Sequence, residues 1–167
     1  MFVYTLNLKS DLEIKYLKDC PAQVQTCAQW SFETWGHHTP SRTLADFVAS
    51  RQGYLNTDCL PFTLVAFKNQ IPVGMCSLAA NRGVLPKLTP WLAALYVEPQ
   101  FRNQGIGQVL EQAICDHAKQ MGFTKIYCFT SDLVVINWYQ KRSWQMLSKE
   151  WLHGHEVAVL VKELFNF

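Results

Sequence analysis

Charge is scarce in this chain: Asp, Glu, Lys and Arg make up 17% of its 167 residues, and the net charge is +2. So weak a field excludes the electrostatic footprint of a nucleic-acid or acidic-lipid binder. No apolar run approaches the roughly 18 residues of a membrane helix. The start, MFVYTLNLKSDLEIKYL, has no basic segment followed by an apolar core, so neither a span nor a secretory signal is expected. Of the six cysteines, Cys20, Cys27, Cys59, Cys76, Cys115 and Cys128, none falls in a C-x-x-C pair. That spacing argues against a zinc site, any other metal centre and a disulfide framework, and for a reducing, cytoplasmic setting. Repeats, low-complexity tracts and charged linkers are also missing. What remains is 49% hydrophobic, enough for one α/β domain over residues 1–167.

The pattern along the chain gives the elements. Phe2 to Leu8 reads as a strand. A helix follows Pro21, with Val24, Cys27, Ala28 and Ser31 on one face. A second runs from a Ser41 cap through Leu44, Phe47 and Val48 to Gly53, and the loop Thr34 to Pro40 lies between them. Phe62 to Lys68 and Ile71 to Ala80 form a hairpin around Asn69-Gln70. The loop Asn81 to Pro90 leads to a fourth strand, and Thr124 to Thr130 reads as another. The chain closes with Trp144 to Glu150 and Glu156 to Leu164, joined through Gly154.

The richest stretch is Trp91 to Gly122, WLAALYVEPQFRNQGIGQVLEQAICDHAKQMG. An apolar strand passes through Val97-Glu98-Pro99 into a Gly-containing hexapeptide, Arg102 to Gly107. Then comes a helix whose apolar face is Ile106, Val109, Leu110, Ala113, Ile114, His117, Ala118 and Met121. The first amides of that helix have no helical acceptor and lie at the positive end of the macrodipole, so the segment is built to hold a phosphate. Glycines at 105 and 107 let the ligand approach the backbone. Gln108-Val109 replace the Lys-Ser/Thr of a P-loop, and Leu110 stands where a dinucleotide fingerprint needs a third small residue.

Arg102, Gly105 and Gly107, with their strand-turn-helix context, resemble the Q/R-x-x-G-x-G/A signature of the GNAT superfamily of acyl-CoA-dependent N-acetyltransferases. A second block, SDLVVINWYQKRSW, is similar to the family's Asn, Tyr and Gly-Phe block: Tyr139 is retained, while Asp132 replaces Asn and Ser143-Trp144 replace Gly-Phe. The resemblance implies an α/β GNAT fold, a mixed central β-sheet flanked by helices in the order β-α-α-β-β-β-α-β-α-β-β. It implies acetyl-CoA as cofactor, with the main chain of Leu95, Tyr96 and Val97 pairing with the pantetheine arm and the Leu95 N–H facing the thioester oxygen. Arg102, Asn103, Gln104, Gly105, Ile106 and Gly107 would hold the pyrophosphate through their amides.

Within the resemblance Tyr139 is the expected general acid, since a phenol of pKa about 10 keeps its proton at neutral pH. The expected base is missing: lysine-modifying relatives carry a Glu eleven residues before the first motif position, and here that position is Trp91. Glu98 is expected to face solvent and Asp132 to cap a helix; His37 and His38, imidazoles in the loop between the helices, are further candidates. Freeing a lysine-like amine at pH 7 costs about 4.6 kcal/mol, against about 1.4 for an α-amine. The expected acceptor is therefore a small-molecule or peptide α-amine in an aromatic groove near Trp91 and Thr34 to Pro40, with Trp30, Trp35 and Trp138 as further walls. No nucleic-acid or membrane partner is expected, and the assembly is a monomer or homodimer. The alternative is a non-catalytic acyl-CoA sensor on the same fold.

Overall fold

The computed structural model describes residues 11–165, so the strand expected at Phe2 to Leu8 lies outside the described residues. The first described strand is β1, Leu12–Tyr16. Apolar Leu12, Ile14 and Tyr16 alternate there with Glu13 and Lys15, and Ile14 is buried. Then follow α1 (Val24–Trp35), α2 (Leu44–Gln52), β2 (Phe62–Lys68), β3 (Ile71–Ala79), β4 (Trp91–Val97), α3 (Ile106–Gln120), β5 (Lys125–Thr130), α4 (Leu133–Gln140), β6 (Gln145–Leu152) and β7 (His155–Glu163). From α1 onward the order is the expected one, with boundaries close to those expected; β1 at Leu12–Tyr16 was not expected from the sequence.

All seven described strands join one sheet in the order β1-β2-β3-β4-β5-β7-β6. Every neighbouring pair is antiparallel except β4 and β5. The β2–β3 turn takes positive φ at both Asn69 (49°) and Gln70 (67°), the twist that matches a two-residue hairpin. Two helical layers flank the sheet. α1 buries Val24, Cys27, Ala28 and Ser31 as expected, and this face packs with Leu17, Val65, Phe67 and Met75. On the opposite face α3 inserts Ile106, Leu110, Ala113, Ile114 and Ala118 among Phe62, Leu64, Leu78, Leu92 and Ile126.

Two details of α2 differ from expectation. Thr43, not Ser41, is the cap: its hydroxyl accepts from the Asp46 N–H while the Asp46 carboxylate accepts from the Thr43 N–H at 2.8 Å. Ser41 lies outside this reciprocal pair because only Thr43 has an acidic residue three positions on. The residue of α2 that is buried is Arg51, in phase with Leu44, Phe47 and Val48, which are only half-covered.

The six cysteines are free thiols, and no group of three or more His, Cys, Asp or Glu suited to a metal occurs among the described residues. No helix among the described residues is long and apolar enough to cross a membrane.

Candidate functional site

The sheet opens at its centre. β4 and β5 share a single bridge, Trp91 opposite Tyr127, beside which the Tyr127 N–H donates to the Pro90 carbonyl at 3.0 Å. Beyond that bridge the β5-facing edge of residues 92–97 carries no strand among the described residues. The other edge of β4 is paired, with one irregularity: Met75 lies opposite Tyr96 and Ser77 opposite Ala93, so Cys76 faces both Ala94 and Leu95. The extra residue is a bulge, and Ala94 takes φ 52° to form it. Bulges re-aim the backbone, and this one lies at Ala94-Leu95, within the stretch that borders the opening.

The chain then passes through a 3-10 turn, Pro99–Phe101, into α3. Asn103 (φ 61°) and Gly105 (φ 83°) are left-handed on either side of Gln104, an alternation that gathers successive amides into a concave anion nest. The N–H groups of residues 103–108 donate to no described residue, and the first bond into α3 is Val109 N–H to the Gly105 carbonyl at 3.1 Å. Six unpaired amides at the head of a fifteen-residue helix fit a phosphate group. The exposed Arg102 side chain folds back on β4: its Nε donates to the Val97 carbonyl at 2.8 Å and its guanidinium lies 5.6 Å from the Tyr96 ring centre. Lys68 Nζ reaches the same loop at Gln104 Oε1, 2.7 Å away.

Gly74 is a position that the sequence reading passed over. It pairs with Val97, and a Cβ there would lie 2.6 Å from the Tyr96 carbonyl oxygen. Only glycine lets β3 approach β4 this closely. Gly74→Ala should displace the end of β4 and lower stability by about 1–3 kcal/mol, read as a lower melting temperature together with weaker coenzyme A binding.

α4 closes the far side of the opening. Asp132 caps it as expected, Oδ1 accepting from the Val134 N–H at 2.8 Å. A Cβ at Gly107 would sit 3.6 Å from the Trp138 ring, so α4 rests against the head of α3. The next residue, Tyr139, is buried (4% exposed), with its ring edge-on to Trp138 and Trp144 at 5.1 and 5.2 Å. Burial pushes its pKa well above the ordinary tyrosine value, which holds the phenol protonated. Its hydroxyl bonds no described residue. Trp144, at the position where a Phe is usual, donates from Nε1 to buried Glu111 Oε1 at 2.9 Å, and Lys162 reaches the same oxygen at 2.7 Å. That polar lock fixes the turn after α4 and with it the backbone carrying Tyr139.

The candidate bases separate. Glu98 does not face solvent: it is half-buried and accepts a hydrogen bond from Trp30 Nε1. It also lies past the bulge, toward the amide nest. His38 stacks between His37 (3.9 Å between ring centres) and His155 on β7 (4.4 Å), and burial first, then the neighbouring histidines, lower its pKa. The aromatic groove is corrected at its centre. Trp91 is fully buried, its Nε1 bonded to the Leu88 carbonyl at 2.7 Å and its ring against Tyr127 and Phe129; it fills the crotch where β4 and β5 part. Trp30 is also buried, beside Tyr96. His117 is packing, as its place on the apolar stripe implied, held between the Ala113 carbonyl and the Tyr16 hydroxyl at 2.7 Å each.

With this geometry in view, the family model described as the Acetyltransferase (GNAT) family matches residues 15–144. The chain belongs to the GNAT acetyltransferase family. Among solved structures it is similar to an aminoglycoside 6'-acetyltransferase type Ii, at 17% identity and TM-score 0.72 over 92% of this chain and 98% of that one. An aminoglycoside 6'-N-acetyltransferase solved with coenzyme A has 14% identity and TM-score 0.73, with the same shares covered. YncA from Salmonella typhimurium, solved with acetyl-CoA, has 15% identity and TM-score 0.69 over 94% of this chain and 96% of that one. At identities this low, these TM-scores show a common fold and no more. Curated relatives are similar over a shorter stretch: amino-acid acetyltransferases of Pasteurella multocida (strain Pm70), 36% over 55 residues, and Photorhabdus laumondii, 37% over 54. Each match covers about a third of this chain (33% and 32%) and 12% of the relative's length.

Proposed function

We propose that the protein is an N-acetyltransferase that moves an acetyl group from acetyl-CoA to a primary α-amine by direct attack within a ternary complex. The observation that carries this reading is the unpaired edge of residues 92–97 leading directly to six unpaired amides at 103–108. Together they offer an extended chain a strand to join and its phosphates an anion nest to occupy. The residues fit acetyl-CoA: the main chain of Leu95, Tyr96 and Val97 would hold the pantetheine arm, and Arg102, Asn103, Gln104, Gly105, Ile106 and Gly107 the pyrophosphate. Because the Val97 carbonyl already accepts from Arg102, the polar contacts along the strand fall to the other peptide groups. When bound, acetyl-CoA supplies the acetyl group as an activated thioester.

The protein's part is positioning and proton handling. The Leu95 N–H, set at the bulge, donates to the oxygen on which negative charge grows. Tyr139 holds a proton for the leaving sulfur. With Glu98 engaged by Trp30 and no carboxylate at residue 91, the acceptor amine loses its proton to water. An α-amine of pKa about 8, the value at a peptide N-terminus, asks least of such a site, about 1.4 kcal/mol at pH 7 against about 4.6 for a lysine side chain. Similarity to amino-acid acetyltransferases across part of the chain supports the same class of acceptor.

The test is release of coenzyme A from acetyl-CoA with a mixed amine panel near pH 7. One peptide should be offered with its α-amine or its lysine blocked. Acetylation through the α-amine should be faster by 10-fold or more; faster reaction through lysine overturns the acceptor assignment. Tight binding of acetyl-CoA without release on any amine identifies a sensor instead.

A further inference from the structure

On the α1/α2 side of the sheet a cation is buried without a counter-ion. Arg51, 7% exposed, spends three of its five N–H donors on hydroxyls. Nη1 reaches Thr63 Oγ1 at 3.1 Å and Ser77 Oγ at 2.9 Å, and Nη2 reaches Ser31 Oγ at 2.7 Å. Thr63 and Ser77 are themselves 2.7 Å apart, and all three hydroxyl residues are buried. No described carboxylate forms an ion pair with Arg51. Burial works most strongly against its positive form and Arg82 adds to that, while Cys27 and Tyr54, whose ring centre lies 5.1 Å from the guanidinium, favour it. Buried arginines are ordinarily paired, because a guanidinium taken from water recovers its hydration only through an anion. Neutral hydroxyls position this one without neutralising it.

Its place in the sheet gives the missing charge a role. Ser77 lies directly opposite Ala93 on β4, and cross-strand partners put their side chains on the same face within about 5 Å. Two residues further along β4 is Leu95, at the bulge. Arg82, from the loop after β3, lies 5.5 Å from the Phe129 ring centre on β5, across the crotch from Arg51. Arg51, held by Ser77 opposite Ala93, and Arg82, beside Phe129, thus lie near the Trp91 end of the opening. The unspent donors of Arg51, Nε–H and one on Nη2, sit on neighbouring nitrogens, the side of the fork that grips a carboxylate through two parallel bonds.

We infer that Arg51 is a specificity residue that holds a carboxylate of the acceptor, so that the substrate class is a free α-amino acid rather than a carboxylate-free amine. This rests on the acetyltransferase reading above and adds the group that orients the amine. The sequence signal was a charged residue in phase with the apolar stripe of α2.

The test compares L-amino acids with their carboxamides, which differ at the one group concerned. The carboxamide amine is the less basic and the easier to free, so any preference for the acid comes from binding. In wild-type protein kcat/KM should favour the acid by about 10- to 100-fold, and in Arg51→Gln that ratio should fall to within about 3-fold, with partial recovery in Arg51→Lys. A thermal-shift titration with the same pairs, in the presence of coenzyme A, reads binding independently of turnover. Preferential binding of acids that is lost in Arg51→Gln supports the subsite even if no amine is acetylated, and that outcome refutes the catalytic reading alone. Equal response to acid and amide in wild-type protein, or a preference that survives Arg51→Gln, overturns the proposal. If Arg51→Gln does not fold, inhibition of wild-type protein decides: N-acetylamino acids should bind at least 10-fold more tightly than their carboxamides, and equal binding overturns it.

Discussion

Gly107→Glu should reduce coenzyme A affinity by 100-fold or more, about 2.7 kcal/mol, while the melting temperature stays within a few degrees of wild type. The structure makes this glycine a cleaner probe than Gly105. A Cβ at residue 107 meets Trp138 at 3.6 Å and Val97 at 3.8 Å, ordinary contact distances, so the helix accepts a side chain. Gly105 has open space around it but a φ of 83°, which any other residue holds only under strain of about 1–3 kcal/mol. Loss of binding in a Gly105 variant would mix misfolding with a blocked ligand. Glutamate at 107 places bulk and a negative charge among the six unpaired amides, where a phosphate should sit. Isothermal titration with coenzyme A measures it, and unchanged affinity would sink the assignment of the nest.

The second large effect is on turnover. Tyr139→Phe should lower kcat by about 10- to 1,000-fold with little change in coenzyme A affinity. It should not cost stability. The hydroxyl has no partner among the described residues, so its removal leaves no other buried group unsatisfied, and the ring contacts with Trp138 and Trp144 persist. The pH dependence follows from the sign of the pKa shift. Burial raises the phenol pKa, so the protonated, competent form extends to higher pH than a free tyrosine would allow. The alkaline limb of kcat should therefore lie above pH 10 in wild type. A wild-type kcat in Tyr139→Phe across the pH range would reduce Tyr139 to packing.

How the sequence carried this information differs from site to site. α3 was legible because Ile106, Leu110, Ala113, Ile114 and Ala118 recur with the helical period and one face meets the sheet. The loop before it was legible because phosphate binding needs backbone without side chains. Tyr139 was picked out by its place seven residues after Asp132 in a block that resembles the family's, although its burial could not be read there. Other features depend on what lies across the sheet, and no local pattern reports that. Gly74 is required by the Tyr96 carbonyl on the next strand. Trp91 looked like the wall of a groove in a linear reading, yet the single bridge at Trp91 and Tyr127 places it at the point where the strands part. Glu98 is occupied by Trp30, a residue 68 positions away. Arg51 has the period of an apolar stripe and the chemistry of a surface residue, and its hydroxyl partners come from α1, β2 and β3.

The single bridge between β4 and β5 has a mechanical consequence. β1 to β4 form one antiparallel panel and β5 to β7 another, and within the sheet the seam between them is short. A ligand lying along residues 92–97 would act as a suture across that seam, so occupancy and rigidity rise together. Coenzyme A at 100 times its dissociation constant adds about 2.7 kcal/mol to the folded state. The slowing of amide exchange should be concentrated along the seam, on β4 and at the head of α3, while the outer strands β1 and β6 change least.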